Sequence, residues 1–296
     1  MTQRPVERVA DALLFEGYML YPYRPSAVKN RQRFNFGVIY PCDSGISESE
    51  GKDAYLMQTE CLIEGDVRTV LEVKVRFLQL VERTVEGNAD IPPWQEAIER
   101  AVTLAPVTIG EMVAGAVRQT FTYEAAETRD RDPDPGMGVG GSIIRRQRTI
   151  EGAIEVTSTE AVPGLFKVRV QIHNVSACED TRGATRDEFL LRSFVSAHTI
   201  LTVADGAFVS LLDPPVELRG FAASCHGVRS WPVLVGENGE RDTMLSSPII
   251  IYDYPAIAPE SAGDLFDGTE IDEILSLRIL TMTDEEKREM RQSDER

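Results

Sequence analysis

Residues 69–85 read TVLEVKVRFLQLVERTV. Val73, Val75 and Phe77 fall on one side of an extended chain, and Lys74 and Arg76 on the other. A period of two, with β-branched and aromatic residues on the apolar side, predicts a half-buried strand. The pattern returns in LFKVRVQIHNVS (165–176), where Val168, Val170 and Ile172 alternate with Lys167, Arg169 and Gln171. With IIRRQRTIEGAIEVTSTE (143–160) before it, this predicts two long strands around the Pro163-Gly164 turn, like one face of an antiparallel sandwich. The likeness of the two stretches is too short to establish a duplication, and no heptad array is present.

Working outward, AYLMQTECLIEG (54–65), RQTFTYEA (118–125) and RFNFGVIYP (33–41) read as further strands, the last closed by Pro41. The apolar and aromatic run VADALLFEGYMLYPY (9–23) reads as a strand entering a turn at Arg24-Pro25. HTILTVADGAFVSLLDPP (198–215) predicts a hairpin around Asp205-Gly206. DIPPWQEAIERAVTLAP (90–106) sets Trp94, Ile98, Ala101 and Val102 at helical spacing, with prolines before the first turn and at 106, and predicts a helix. Thr108 with Glu111 predicts a capping box for a short helix, and residues 186–195 one or two helical turns. Thr269 can cap EIDEILSLRIL, and Thr283 with Glu286 a second, nearly all-polar helix that has no core face to bury.

TRDRDPDPGMGVGGS (128–142) mixes charge, proline and glycine without apolar periodicity and reads as a linker. The expected architecture is α+β and mainly β. Two β-sandwich-like lobes, 1–127 and 143–296, are joined by that linker, with a few short helices and a helical acidic C-terminus.

The 296 residues are 42% hydrophobic and 27% charged, ordinary for a folded chain whose core needs no disulfide or metal. A net charge of −17 repels phosphate backbones, so no nucleic-acid partner is expected. Residues 1–40 are nonetheless mildly basic, while residues 260–296 are acidic. No run approaches the roughly 18 apolar residues of a membrane span, and the N-terminus has no apolar core followed by a small-residue cleavage site. Cys42, Cys61, Cys178 and Cys225 are widely spaced, so reduced thiols and a cytoplasmic location are expected.

Candidate chemistry is sparse. Gly136-Met-Gly-Val-Gly-Gly141 matches G-x-G-x-x-G, but a dinucleotide site needs a strand before it and a helix after, and here an acidic Pro-rich stretch precedes it. There is no G-x-S-x-G elbow. Of the three histidines, His198 lies among apolar strand residues and reads as a core or edge histidine rather than a general base. His173, Cys178, Cys225 and His226 have the right atoms for zinc or nickel but lack C-x-x-C spacing, so no metal and no cofactor is expected. Asp264, Asp267 and Glu270 have the oxygens for a divalent cation, but the favoured reading is that Glu270, Asp272 and Glu273 complement a helix N-terminus, which needs no ligand. YPYRPSAVKNRQRF (21–34) is different in kind. It concentrates Tyr21, Tyr23, Arg24, Lys29, Asn30, Arg31 and Arg33 in one turn, and Tyr and Arg are favoured at interfaces.

Four stretches carry a family resemblance: EGYMLYPYRPSAVKNRQRFNFGV (16–38), VKVRFLQLVERT (73–84), the run from SLLDPPVELRG to YDYPAIAPES (210–261), and GDLFDGTEIDEILSLRILTMTDEEKREMR (263–291). They resemble an uncharacterised bacterial family encoded beside nickel–iron hydrogenases of the high-affinity, actinobacterial type. The likeness is densest after residue 198. Members of that family often continue past the end seen here, which implies a shortened C-terminus. The resemblance implies a non-enzymatic accessory or assembly factor for a nickel–iron hydrogenase, acting on a protein partner such as a hydrogenase subunit or maturation factor. The contact candidates are the basic turn and the segment 242–270 with Tyr252 and Tyr254. The competing expectation is a hydrolytic or metal-dependent enzyme using Asp213, Asp242 or Asp253 with His198.

Overall fold

A computed structural model describes residues 5–15, 36–42, 54–86, 93–131, 142–177 and 185–256. The chain is mainly β, with two antiparallel sheets and few short helices. The strands are β1 (Leu56–Glu64), β2 (Val70–Glu86), β3 (Trp94–Thr108), β4 (Val117–Tyr123), β5 (Ala126–Arg131), β6 (Ser142–Gln147), β7 (Ile150–Val162), β8 (Leu165–Asn174), β9 (Val195–Ala204), β10 (Ala207–Val209), β11 (Trp231–Leu234) and β12 (Thr243–Ser247). The helices are α1 (Pro5–Phe15), α2 (Ile109–Ala114), α3 (Arg186–Leu190) and α4 (Arg219–Ala223), the last preceded by a 3-10 turn at Val216–Leu218.

One sheet has five strands in the order β10-β1-β8-β7-β4. The other has seven: β11-β12-β9-β2-β6-β5, with β3 on the opposite edge of β2. Strand pairing does not follow a division at 128–142, because each sheet takes strands from both sides of that segment. The largest apolar cluster also draws on both sheets, joining Cys61, Ile63, Val168, Val170 and Ile172 to Val73, Val75, Phe77, Leu201 and Val203. The first residues of that segment, 128–131, belong to β5, which pairs with β6; residues 132–141 lie outside the described ones.

Several expected elements differ. Residues 5–15 are helical where an apolar run from residue 9 reads as a strand. Pro5 opens the helix at the one place where its missing N–H costs nothing. Val6, Val9 and Ala10 form a single stripe on the outer face of the seven-stranded sheet, against Ile200, Val233, Val235 and Leu245. Residues 36–42 form no regular strand, and Ile39 makes only an isolated bridge to Phe194. The helix expected over 90–106 is the fifteen-residue strand β3. Its residues also fit a period of two, with Val102 and Leu104 entering the core, and thirteen pairings with β2 outweigh a weak local helical preference. Pro106 sits on this edge strand at the register slip between Leu71 and Val73, where a missing donor is tolerated.

The hairpin expected around Asp205-Gly206 is a corner instead. β9 pairs with β2 and β12, while β10 pairs with β1 in the other sheet. Asp205 takes φ 57°, and its carbonyl accepts from Thr69 Oγ1 at 2.8 Å. β2 is half-buried only at its start. From Val75 to Val81 every side chain is buried, Arg76 and Gln79 included, because α1 and a second apolar cluster around Leu78 and Leu80 cover the outer face.

The capping box at Thr108 and Glu111 forms as expected, as does the short helix within 186–195, whose Thr185–Glu188 box holds its first turn. The β7–β8 hairpin turns at Gly164 with φ 81°. Gly152 pairs directly with Phe121, and a Cβ added there would lie 2.2 Å from the ring. That ring packs on Phe77 and Phe194, at 6.0 and 5.5 Å between centroids. Gly152→Ala is therefore expected to lower stability by about 2 kcal/mol, the usual scale of overpacking. A urea titration showing a loss under half that size would mean the ring moves aside freely. The helices expected after Thr269 and Thr283 fall outside the described residues.

Candidate functional site

The described residues hold three arrangements of polar or exposed side chains that bear on function. The first is the segment after β12. β11 ends the seven-stranded sheet, and the segment that follows β12 meets its free edge at Leu234 through Asp253 and Tyr254. Asp253 fastens this segment: its Oδ1 accepts from the Leu234 N–H at 2.8 Å and its Oδ2 from Ser210 Oγ at 2.6 Å. Ser210 Oγ in turn accepts from the backbone N–H groups of Leu212 and Asp213. The Tyr254 N–H donates to the Leu234 carbonyl at 2.7 Å. Pro232 has no N–H to offer, so this edge is closed to further strand pairing along most of its length.

The two tyrosines expected to meet a partner are placed differently. Tyr252 is 86% exposed. Tyr254 packs against the core, and its hydroxyl donates to the Glu240 carbonyl. Ile250, at 71%, and Trp231, at 44%, are also exposed, as are Leu212 and Val216 on the loop that Ser210 begins. Asp253 thus ties together two segments that both present apolar side chains to solvent. Tyr21, Tyr23, Arg24, Lys29, Asn30, Arg31 and Arg33 lie outside the described residues, as do Gly136–Gly141, Cys178, Asp264, Asp267 and Glu270.

The second arrangement surrounds Arg76. Its Nη1 donates to Glu7 at 3.0 Å, and its Nη2 to Asp11 and to Glu99, the latter at 2.7 Å. Lys74 donates to Glu7 at 2.9 Å. Beside this cluster lies His198, directly opposite Arg76 on β9 and fully buried. Its Nδ1 is 3.1 Å from the Ser196 carbonyl, and its Nε2 has no hydrogen-bond partner among the described residues. Burial pushes its pKa down to about 4, with Arg76 adding to the effect and Ser196, Asp11 and Glu7 opposing it. The acids proposed to work with it, Asp213, Asp242 and Asp253, are not among the charged groups acting on it. Asp253 is a structural clasp, and Asp242 accepts from its neighbour Thr243.

The third centres on Glu60, which is 2% exposed on the outer face of the five-stranded sheet. Burial pushes its carboxyl up. Lys167, the His226 N–H and Arg169 together outweigh that and hold it below its ordinary value. Cys225 stands nearby with its thiol pushed up to about 11 by burial, and burial raises Cys61 further. Both are therefore protonated thiols at neutral pH and weak nucleophiles. His173 lies at the other end of β8, facing the Tyr55 ring at 6.5 Å. Among the described residues no group of three His, Cys, Asp or Glu side chains is placed to hold a metal. Among the same residues no helix is long and apolar enough to cross a membrane.

Sequence reasoning missed Arg76 and Glu60 as buried charges. Arg76 reads as the solvated side of an alternating strand until α1, with Glu7 and Asp11 four residues apart, is known to be a helix lying over it. The chain matches no family model and no curated protein.

Proposed function

We propose that this chain is a non-enzymatic accessory or assembly factor for a nickel–iron hydrogenase, working by binding a client protein. The exposure of Ile250 and Tyr252 on the segment that Asp253 clasps, with Trp231 also exposed on β11, is the observation that supports the binding role. Aromatic and aliphatic side chains held by a rigid clasp suit the centre of an interface, because little freedom remains to be lost on docking. The choice of a hydrogenase client rests on the sequence resemblance, which runs through this same segment. The buried ionisable groups Glu60 and Arg76 are held in internal ion pairs. This favours scaffold over catalyst.

The test is a host strain lacking this protein, complemented with the wild-type chain or with an Ile250→Ser, Tyr252→Ala double variant. Both side chains are exposed, so the variant is expected to fold with stability within about 0.5 kcal/mol of wild type. Loss of hydrogenase activity on deletion is expected, rescued by wild type and reduced about tenfold or more in the variant, the scale of a hot-spot loss. A hydrogenase subunit is expected to co-purify with the wild type alone. Full hydrogenase activity in the deletion strain would overturn the reading.

A further inference from the structure

At the rim of the sandwich, where β4 ends and the seven-stranded sheet runs on past it, the inward face of β2, β3 and β6 carries Gln79, Arg83, Glu96, Arg145 and Gln147 among apolar residues such as Val81 and Ile143. Three arginines stand there. Arg83 and Arg145 are both matched by Glu96, and Arg145 also by Asp130. Arg100 is not matched in this way. Its Nε donates to Gln79 Oε1 at 2.9 Å and its Nη2 to Gln147 Oε1 at 3.0 Å. Its guanidinium lies over the Tyr123 ring, 4.5 Å from the centroid. Among the described residues it has no carboxylate partner.

The groups that hold Arg100 are themselves locked. Gln79 is fully buried, and its amide nitrogen donates to the Arg148 carbonyl at 2.8 Å. The Gln147 amide nitrogen donates to the Glu124 carbonyl at 2.6 Å. The Tyr123 hydroxyl donates to the Ala101 carbonyl at 3.0 Å. Each amide is thereby fixed with its oxygen towards the guanidinium. Neutral oxygens orient a cation without cancelling its charge, and they leave Nη1 without a partner among the described residues. Ile98, two residues before Arg100 on the same face of β3, is 38% exposed and offers an apolar contact beside it.

We infer that Arg100 is a carboxylate-binding subsite. The guanidinium is held by neutral oxygens at Nε and Nη2, and its Nη1, without a partner among the described residues, suits a carboxylate oxygen; the Tyr123 ring packed against it limits its movement. The source is either the C-terminus of a peptide or a small free carboxylic acid. This inference stands independently of the hydrogenase client.

Three probes separate the sources: N-acetyl-leucyl-alanine with a free C-terminal carboxylate, the same dipeptide as its C-terminal amide, and acetate. Binding is read from the 15N-linked shift of the Arg100 Nε–H and from titration calorimetry. The free-acid dipeptide is expected to shift the Nε–H, and the amide to bind about tenfold more weakly, as for loss of charge-assisted hydrogen bonds. An equal response to acetate assigns the site to small acids, and a response to the dipeptide alone to peptide termini. Gln147→Glu supplies Arg100 with an internal carboxylate, at the loss of the hydrogen bond to the Glu124 carbonyl, and is expected to abolish the response in a protein whose folding is checked by its urea titration. Arg100→Gln is the companion variant. No shift with any probe, or an undiminished response in Gln147→Glu, overturns the inference.

Discussion

Arg76→Met is expected to destabilise the fold by about 3 to 4 kcal/mol, in the range for breaking one side of a buried ion cluster. The side chain is 4% exposed, and its removal strands Glu7, Asp11 and Glu99 around an apolar methionine. Those carboxylates are 25%, 33% and 39% exposed, so water recovers part of the loss and holds the figure below the top of that range. The damage should be local first. α1 has eleven residues, too few to persist alone in water. Its attachment depends on the Val6, Val9 and Ala10 stripe and on Glu7 and Asp11 reaching Arg76. Amide exchange in α1 should accelerate before the sheet opens. Adding Glu7→Gln and Asp11→Asn to Arg76→Met should restore part of the stability by removing the stranded charges. Urea titrations of wild type, Arg76→Met and the triple variant decide it. A loss under 1 kcal/mol, or no recovery in the triple variant, would show that the cluster is not what holds the helix.

Acid is expected to weaken the protein through His198. The buried ring takes a proton only near pH 4, whereas in the unfolded chain it does so near 6.5. The folded pKa is the lower one, so at pH values between the two the unfolded state binds the extra proton. This contribution is whole above about pH 6.5 and falls away as the pH drops towards 4, a total of about 3 kcal/mol for the difference between those values. Carboxylates such as Glu60, whose pKa is also depressed, add their own loss at lower pH. The His198 part is isolated by comparison with His198→Leu. That variant should be less stable at pH 7.5, because the Ser196 carbonyl loses its contact. It should lose about 3 kcal/mol less than wild type between pH 7.5 and 4. Parallel pH profiles for the two proteins would exclude the histidine as the source. Arg76 and His198 are direct cross-strand neighbours, so their effects should not add.

The sequence by itself determined the strands whose apolar residues alternate regularly along the chain. Val73 to Phe77, Val168 to Ile172 and the Pro163-Gly164 turn carry their period in the chain, and that period is set by backbone geometry alone. Capping boxes were legible for the same reason, since Thr108 and Glu111 act within a single turn. The tertiary structure decided everything that depends on a distant partner. Whether residues 94–108 coil or extend was settled by the free edge of β2, and whether residues 195–209 form a hairpin by which sheet offered each strand its hydrogen bonds. The same holds for the candidate sites. Composition marks Tyr252 and Tyr254 alike, but only hydrogen bonds to Leu234 and Glu240 turn Tyr254 inward. No local pattern distinguishes Arg76, closed among three acids, from Arg100, clamped by two glutamines. Hydrophobic periodicity is a property of neighbours along the chain, whereas the partner of a charge is a property of neighbours in space.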